Sequence, residues 1–176
     1  RQGKNCFRLM ENREVLLVLH DIRSAHNVGS MFRTADGSGV GQIVLSGYSP
    51  VPPKVGALYL TDADKAFRKT ALGAESTVPW KKVSSLPRLM TRLKQEGYVL
   101  MALEQAPGSI DYREYRSTGK VALIVGNEVE GVAASILKRC DAILEIPMRG
   151  KKNSLNVSVA TGIALYEIMS TIKRDV

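Results

Sequence analysis

Runs of consecutive apolar residues, each of strand length, are the feature that most constrains how this chain folds. The clearest are VLLVLH at 15–20, YVLMAL at 98–103 and VALIV at 121–125. Their apolar residues are continuous rather than alternating with polar ones, which is typical of strands buried on both faces of a parallel sheet. Segments with helical patterning separate them. This alternation predicts an α/β fold with a mainly parallel sheet and helices on both faces.

Cap and turn residues set the expected bounds of the other elements. Asn27 is expected to cap one helix and Asn156 another, because an asparagine side chain accepts hydrogen bonds from the unpaired N–H groups of a first turn. Helices are predicted over 27–36, 62–72, 84–95, 133–139 and 157–173, and further strands over 42–46, 77–80 and 142–146.

The length of 176 residues suits one well-buried core and is short for two domains. We therefore expect one domain over 15–176, preceded by a charged N-terminal extension over 1–14. No apolar run approaches the ~20 residues of a membrane span, and the chain opens with no secretory-signal pattern. Cys6 and Cys140 form no CxxC pair, so neither a disulfide framework nor a zinc site is expected. These features predict a cytoplasmic protein.

A net charge of +8 favours a polyanionic partner, because neutralising phosphates releases counterions and drives association. Nucleic acid is the first candidate, and a basic protein with scattered charges is the alternative. Aromatic residues make up only 6% of the chain, which argues against the aromatic sheet platforms that many RNA-binding domains use.

Polar residues are concentrated after three of the predicted strands. His26 and Asn27, with Arg33 following, come after the first strand, and 126–131 (GNEVEG) and the loop with Ser154 and Asn156 follow two others. Ligands of open α/β sheets bind beyond the carboxyl ends of strands. Each group alone also has a structural explanation, as a turn, a cap or a surface charge. None is a dinucleotide fingerprint or a phosphate loop.

The three groups together resemble the SpoU (TrmH-like) RNA methyltransferases of the SPOUT superfamily. The matching motifs are Asn27-x-Gly-x-x-x-Arg33-Thr-Ala, then Ile-Val-Gly126-Asn-Glu128-x-x-Gly131-Val, then Ile146-Pro-Met followed by Ser154-Leu-Asn156-Val-Ser-Val-Ala. The resemblance covers about 15 to 170, nearly the whole chain.

The resemblance implies a C-terminal deep trefoil knot, a homodimer with its substrate site at the subunit interface, and methyl transfer from S-adenosylmethionine (AdoMet) to a ribose 2′-oxygen of tRNA or rRNA. It implies that Gly126, Ile146 and Leu155 hold the AdoMet adenosine. It further implies a catalytic cluster of Asn27, Arg33, Glu128, Ser154 and Asn156, in which Glu128 braces the site.

The role of Arg33 has two interpretations. The residue at this position in the family is proposed as the base that removes the 2′-hydroxyl proton, but a guanidinium holds its proton at neutral pH. We expect Arg33 mainly to clamp phosphate and polarise the developing oxyanion, while Ser154 and Asn156 orient the ribose. A sulfonium methyl is already electrophilic, so no metal is expected. His26 is left outside the catalytic set.

The substrate RNA is not identified by these motifs. The residues before 15 are not expected to supply an RNA-binding domain, so recognition is expected to rest on the dimer surface, on a partner or on a further segment. Candidate phosphate contacts are Lys65, Arg68, Lys69, Lys151 and Lys152. The alternative function is a catalytically silent RNA-binding or assembly factor on the same fold, against which the five intact catalytic positions argue.

Overall fold

The computed structural model describes residues 14–116 and 119–173, so nearly all of the predicted extension over 1–14 lies outside the described residues. One seven-stranded sheet forms the centre of the described chain, in the order β3-β2-β1-β6-β4-β7-β5. Its strands are β1 (Val15–His20), β2 (Gln42–Ser46), β3 (Trp80–Val83), β4 (Tyr98–Leu103), β5 (Ile110–Asp111), β6 (Lys120–Val125) and β7 (Ala142–Glu145).

Neighbouring strands of this sheet are parallel at every pairing. In the middle, Leu17 of β1 lies in register with Ile43 of β2 on one side and with Leu123 of β6 on the other. The chain runs from β1 outward to β3 and then crosses to build the other half of the sheet. The boundary between β1 and β6 is therefore where the strand order reverses, and a ligand site is expected at its carboxyl end.

Helices cover both faces of the sheet, as the sequence predicts. On one face α1, α2 and α5 pack over side chains such as Leu17 and Leu19, and on the other α3 and α4 pack over Leu16 and Val18. The helices are α1 (Ala25–Ser38), α2 (Asp62–Ala71), α3 (Leu86–Gln95), α4 (Ala134–Leu137) and α5 (Val157–Lys173). None of the helices in the described chain is both long and apolar enough to cross a bilayer.

Most predicted elements are confirmed, and the differences have local causes. Helix α1 begins two residues early because Ser24, not Asn27, is its cap: the Ser24 hydroxyl accepts from the Asn27 N–H at 3.2 Å. Asn156 does cap α5, since its Oδ1 accepts from the Ser158 N–H at 2.9 Å. The strand predicted over 77–80 is wrong. A 3₁₀ turn ends just before it, and pairing starts only at Trp80, the first residue beside β2.

Two smaller differences concern the far half of the sheet. Helix α4 is shorter than the predicted 133–139 and keeps a single turn. Strand β5 was not predicted, because two residues carry no periodicity; it exists because Ile110 pairs with Leu144 at the edge of β7.

Candidate active site

Loops that follow β1, β4, β6 and β7 meet at one edge of the sheet. The strands are parallel and adjacent, so their carboxyl ends lie side by side. This convergence brings the three polar groups of the sequence together although the first lies about 100 residues or more from the other two, as in the bond between Asn27 and Glu128, 101 positions apart.

Glu128 joins the loop after β6 to the start of α1. Its carboxylate accepts the backbone N–H groups of Arg23 at 2.9 Å and Ser24 at 3.1 Å, and the Asn27 side-chain amide at 2.9 Å. Partial burial raises the pKa of Glu128, but these hydrogen bonds outweigh it and hold the pKa below its usual value. A carboxylate held by two backbone donors and an amide is a positioning group rather than a general acid at neutral pH.

Asn27 and Asn156 extend this contact to the loop after β7. The Asn156 amide donates to Oδ1 of Asn27 at 3.2 Å, and Asn27 in turn donates to Glu128. Because Ser24 caps α1, the Asn27 side chain is free for these tertiary bonds. Three chain segments are thereby tied by one line of hydrogen bonds.

A cleft of about 350 Å³ opens beside this line. Glycine and apolar residues that the resemblance assigns to the cofactor, Gly126, Ile146 and Leu155, all line it, together with Ser154 and Glu128. Among the described residues of its wall are four glutamates and no lysine, arginine or histidine; the glutamates are Glu104, Glu128, Glu130 and Glu145. The cleft is therefore acidic in a strongly basic chain, which suits a ligand with cationic groups.

Glu104 is a site residue that the sequence reasoning missed. It follows β4 directly, and its carboxylate accepts the N–H of Val132 at 2.8 Å and of Gln105 at 2.9 Å. Gly131 lies against it with φ +68°, and a Cβ there would stand 2.1 Å from Oε2 of Glu104. Gly126 lies in turn against Gly131, where a Cβ would meet the Gly131 carbonyl oxygen at 2.4 Å. The same strand-end rule that found the other groups could have found this carboxylate.

Asn127, which the sequence analysis placed in the polar group 126–131 without assigning it a role, is buried beneath the site. Its Oδ1 accepts the N–H groups of Val129 at 2.8 Å and Glu130 at 2.9 Å, which fixes the turn of the loop. Its amide donates to the Asp21 carbonyl at 3.1 Å and to the Tyr48 hydroxyl at 2.5 Å. Asn127 thus ties the loops after β1, β2 and β6, a role that no short motif encodes.

Not every predicted residue joins the network. Asn27, Glu128 and Asn156 are bonded to one another, and Ser154 lines the cleft with an exposed side chain. Arg33 is exposed and makes no hydrogen bond or ion pair within the described residues. It lies six positions after Asn27, so at 100° per residue the two side chains leave α1 about 120° apart. The predicted phosphate contacts Lys65, Arg68, Lys69, Lys151 and Lys152 are all exposed.

Comparison with known proteins adds to this geometry. The sequence profile described as the SpoU rRNA Methylase family matches residues 14–166. The 23S rRNA (guanosine-2'-O-)-methyltransferase RlmB of Escherichia coli K12 is 37% identical over 154 residues, covering 86% of this chain and 58% of RlmB. The chain spans less than two thirds of the length of the curated relatives it matches.

Two solved structures share the fold. An AdoMet-bound rRNA methyltransferase of Sinorhizobium meliloti has a TM-score of 0.76 at 27% identity, covering 89% of this chain and 56% of that one. The TrmH/SpoU tRNA modifying enzyme of A. aeolicus also has a TM-score of 0.76, at 28% identity, covering 93% of this chain and 78% of that one.

Proposed function

The chain belongs to the SpoU rRNA methylase family, and from that premise we propose that it transfers a methyl group from AdoMet to a ribose 2′-hydroxyl of tRNA or rRNA. The observation that carries the proposal is the line of hydrogen bonds from Glu128 through Asn27 to Asn156, which runs beside the acidic cleft. It holds two amide groups and a carboxylate next to a wall that can receive a cationic methyl donor.

The cleft fits AdoMet in size and charge. Its volume of about 350 Å³ falls within the range of small-molecule sites. Leu103, Ile146 and Leu155 offer apolar contact to an adenosine, and the glutamates favour a sulfonium and an ammonium. When bound, AdoMet would supply an electrophilic methyl group and leave as S-adenosylhomocysteine, while the proton of the 2′-hydroxyl would be released to solvent water.

The residues of the chain then have positioning roles. Gly126, Ile146 and Leu155 hold the nucleoside. Glu128 fixes the start of α1 against the loop after β6, residues 126–132, which we call the cofactor loop. Ser154 and Asn156 orient the ribose so that its 2′-oxygen approaches in line, which lowers the barrier by alignment. Arg33 clamps a phosphate beside that ribose and stabilises the developing oxyanion.

A homodimer completes this site. Helix α5 leaves Val159 at 51% and Tyr166 at 57% exposure, and Val129 beside the cleft is 78% exposed. In this dimer we expect the partner's Arg33 to act at the cleft, an arrangement that fits the exposure of Arg33 and its separation from Asn27 within one chain. Sedimentation velocity of the wild type, with Tyr166→Lys as the disrupted control, tests the dimer.

The family also supplies the remaining parts of the proposal. We assign 15–176 to one SpoU-type methyltransferase domain whose C-terminal part forms a deep trefoil knot. A cytoplasmic location follows from tRNA or rRNA as the substrate.

The experiment is transfer of radiolabelled methyl from AdoMet into unmodified tRNA and, separately, rRNA, followed by digestion to nucleosides. Label in a 2′-O-methylnucleoside from one pool, lost in Arg33→Ala, is the expected result and names the substrate. Arg33→Lys separates the two interpretations of this residue, because lysine deprotonates more readily but lacks the fork geometry. Nearly full activity of Arg33→Lys would contradict the clamp.

The alternative function is a silent RNA-binding or assembly factor on the same fold. It predicts RNA binding without AdoMet binding. Titration calorimetry with AdoMet distinguishes the two, since a silent factor gives no heat of binding while the proposed enzyme binds in the cleft.

A further inference from the structure

The segment 48–71, which we call the arm, leaves the site and returns to it. At its beginning, the Tyr48 hydroxyl accepts from Asn127, the neighbour of Glu128. At its end, the Thr70 hydroxyl donates to the carbonyl of His26, the neighbour of Asn27, at 2.9 Å. Both ends of the arm are therefore fixed beside the proposed catalytic cluster.

The middle of the arm projects apolar side chains into solvent. Val55, Leu58 and Tyr59 are 98%, 93% and 91% exposed. The chain turns at Gly56, with φ +74° and a bond from the Ala57 N–H to the Lys54 carbonyl. Three neighbouring apolar residues with almost no burial gain nothing from the fold, and such exposed apolar surface marks an interaction site.

Cations flank these apolar side chains. Lys54 directly precedes Val55, and α2 exposes Lys65, Arg68 and Lys69. Their spacing of three and four residues puts the last three on one side of the helix. Lys65 also lies 3.1 Å from Asp62, so part of its charge is neutralised.

We propose that the arm binds unpaired nucleotides of the substrate RNA beside the methylated ribose, with Tyr59 stacking on a base and α2 contacting phosphates. The inference rests on the proposed function and narrows its substrate to RNA with single-stranded or loop segments at the target. An aromatic face beside cations is the pattern that binds single strands, because only unpaired bases expose their faces.

A second copy of the chain is the other conceivable occupant, and charge disfavours it. In a two-fold interface centred on the arm, the cluster of cations formed by Lys54 and α2 would be brought close to the same cluster of the second copy. Interface cores are also depleted of lysine. Helix α5 exposes Val159 and Tyr166 and carries no lysine or arginine before its last residue, so it is the better dimer surface.

The test compares Tyr59→Ala, Tyr59→Phe and wild type in binding a fluorescent single-stranded RNA of about 16 nucleotides, the upper site size of one single-strand-binding domain. The same sequence as a full duplex is measured in parallel. Leu72→Ala is the matched control, since Leu72 is also apolar and exposed, at 65%, but has no aromatic face.

We expect Tyr59→Ala to weaken single-strand binding by about tenfold, within the range that one base–aromatic stack supplies. Tyr59→Phe and Leu72→Ala should bind like wild type, and duplex binding and AdoMet affinity should be unchanged. Equal single-strand affinity of Tyr59→Ala and wild type overturns the inference. The inference is also overturned if sedimentation velocity shows that Tyr59→Ala no longer forms the dimer. A wild type that methylates tRNA or rRNA but binds the single strand no better than the duplex overturns the inference alone, whereas a wild type that methylates neither pool overturns the proposed function.

Discussion

Individual carboxylates of this site bind backbone N–H groups rather than lysines or arginines. Glu128 receives two of them from the start of α1, and Glu104 receives those of Gln105 and Val132. A carboxylate held in this way fixes the path of a loop, because the backbone itself is the partner. The two glutamates hold the cofactor loop from opposite ends.

Glu104→Ala should weaken AdoMet binding by about tenfold, because it leaves the half-buried Val132 N–H without an acceptor, at a cost of about 1–3 kcal/mol. The AdoMet affinity of Glu104→Gln should lie between those of wild type and Glu104→Ala, since the one carbonyl oxygen of glutamine can still accept the Val132 hydrogen bond. Calorimetric titration measures both affinities. Glu96→Ala, at an exposed site on the end of α3, is the control, and wild-type affinity in Glu104→Ala would refute the positioning role.

Glu128 should make stability depend on acid pH. Its folded pKa lies below the usual value because backbone and amide donors stabilise the carboxylate, so this stabilisation is complete above about pH 5 and is lost as the pH falls through the folded pKa. The difference in Tm between wild type and Glu128→Gln should therefore be constant from neutral pH to about pH 5 and shrink below about pH 4. A difference that persists unchanged at low pH, or one equally large for Glu96→Gln, would contradict this assignment.

Packing between elements decides how close α2 comes to the site. Helix α1 carries Gly29 where a Cβ would meet Thr70 Oγ1 at 2.3 Å and the Phe67 carbonyl oxygen at 2.4 Å. The two helices approach so closely only because this residue has no side chain. Phe32 and Phe67 then pack edge to face, with ring centroids 5.3 Å apart. This close contact places the cations of α2 near the start of α1.

Gly29→Ala should destabilise the fold by about 1–3 kcal/mol, because the clash is with backbone and cannot be relieved by a rotamer change. Gly37→Ala in the same helix is the matched control, since its Cβ meets only the Tyr166 hydroxyl at 3.1 Å, the end of a flexible side chain. Alanine is the better helix former by up to about 1 kcal/mol, so Gly37→Ala should be neutral or stabilising. Urea unfolding measures both variants, and equal midpoints would show that the helices separate freely.

Acidic and basic side chains are concentrated in different parts of the molecule. The chain carries +8, while the described wall of the cleft carries four glutamates and no basic residue. A cationic cofactor and a polyanionic RNA are therefore attracted to different parts of one surface.

Replacing Lys65, Arg68 and Lys69 together by uncharged residues should change how steeply the affinity for single-stranded RNA falls with salt. The slope of log affinity against log salt should become less negative by about 2, at about 0.7 per lost phosphate contact. The control replaces Arg88, Arg92 and Lys94 on α3, which changes the net charge equally on the opposite face of the sheet. Fluorescence titrations over a range of salt concentrations give both slopes. Equal slopes for the two triple variants would show that α2 does not contact the RNA.

Sequence alone determined the layers of this protein. Continuous apolar runs predicted a parallel sheet because burial on both faces leaves no polar position, and the strand-end rule selected Asn27, Glu128 and Asn156. Local sequence patterns failed to predict features that depend on a partner distant in sequence. Ser24, not Asn27, caps α1, and the Asn27 side chain is bonded to the distant Glu128 instead. Strand β5 exists only as an edge to β7.

Tertiary structure decided the rest of the site. Glu104, Gly131 and Asn127 form a packed unit only because β4 and β6 lie side by side. Glu104 and Val132 are 28 positions apart in sequence, and no local pattern encodes that they become neighbours. The same holds for the arm, whose two ends reach the site through Asn127 and His26. Periodicity reports which face of an element is buried, whereas a site depends on which elements become neighbours, and only the packed sheet fixes that.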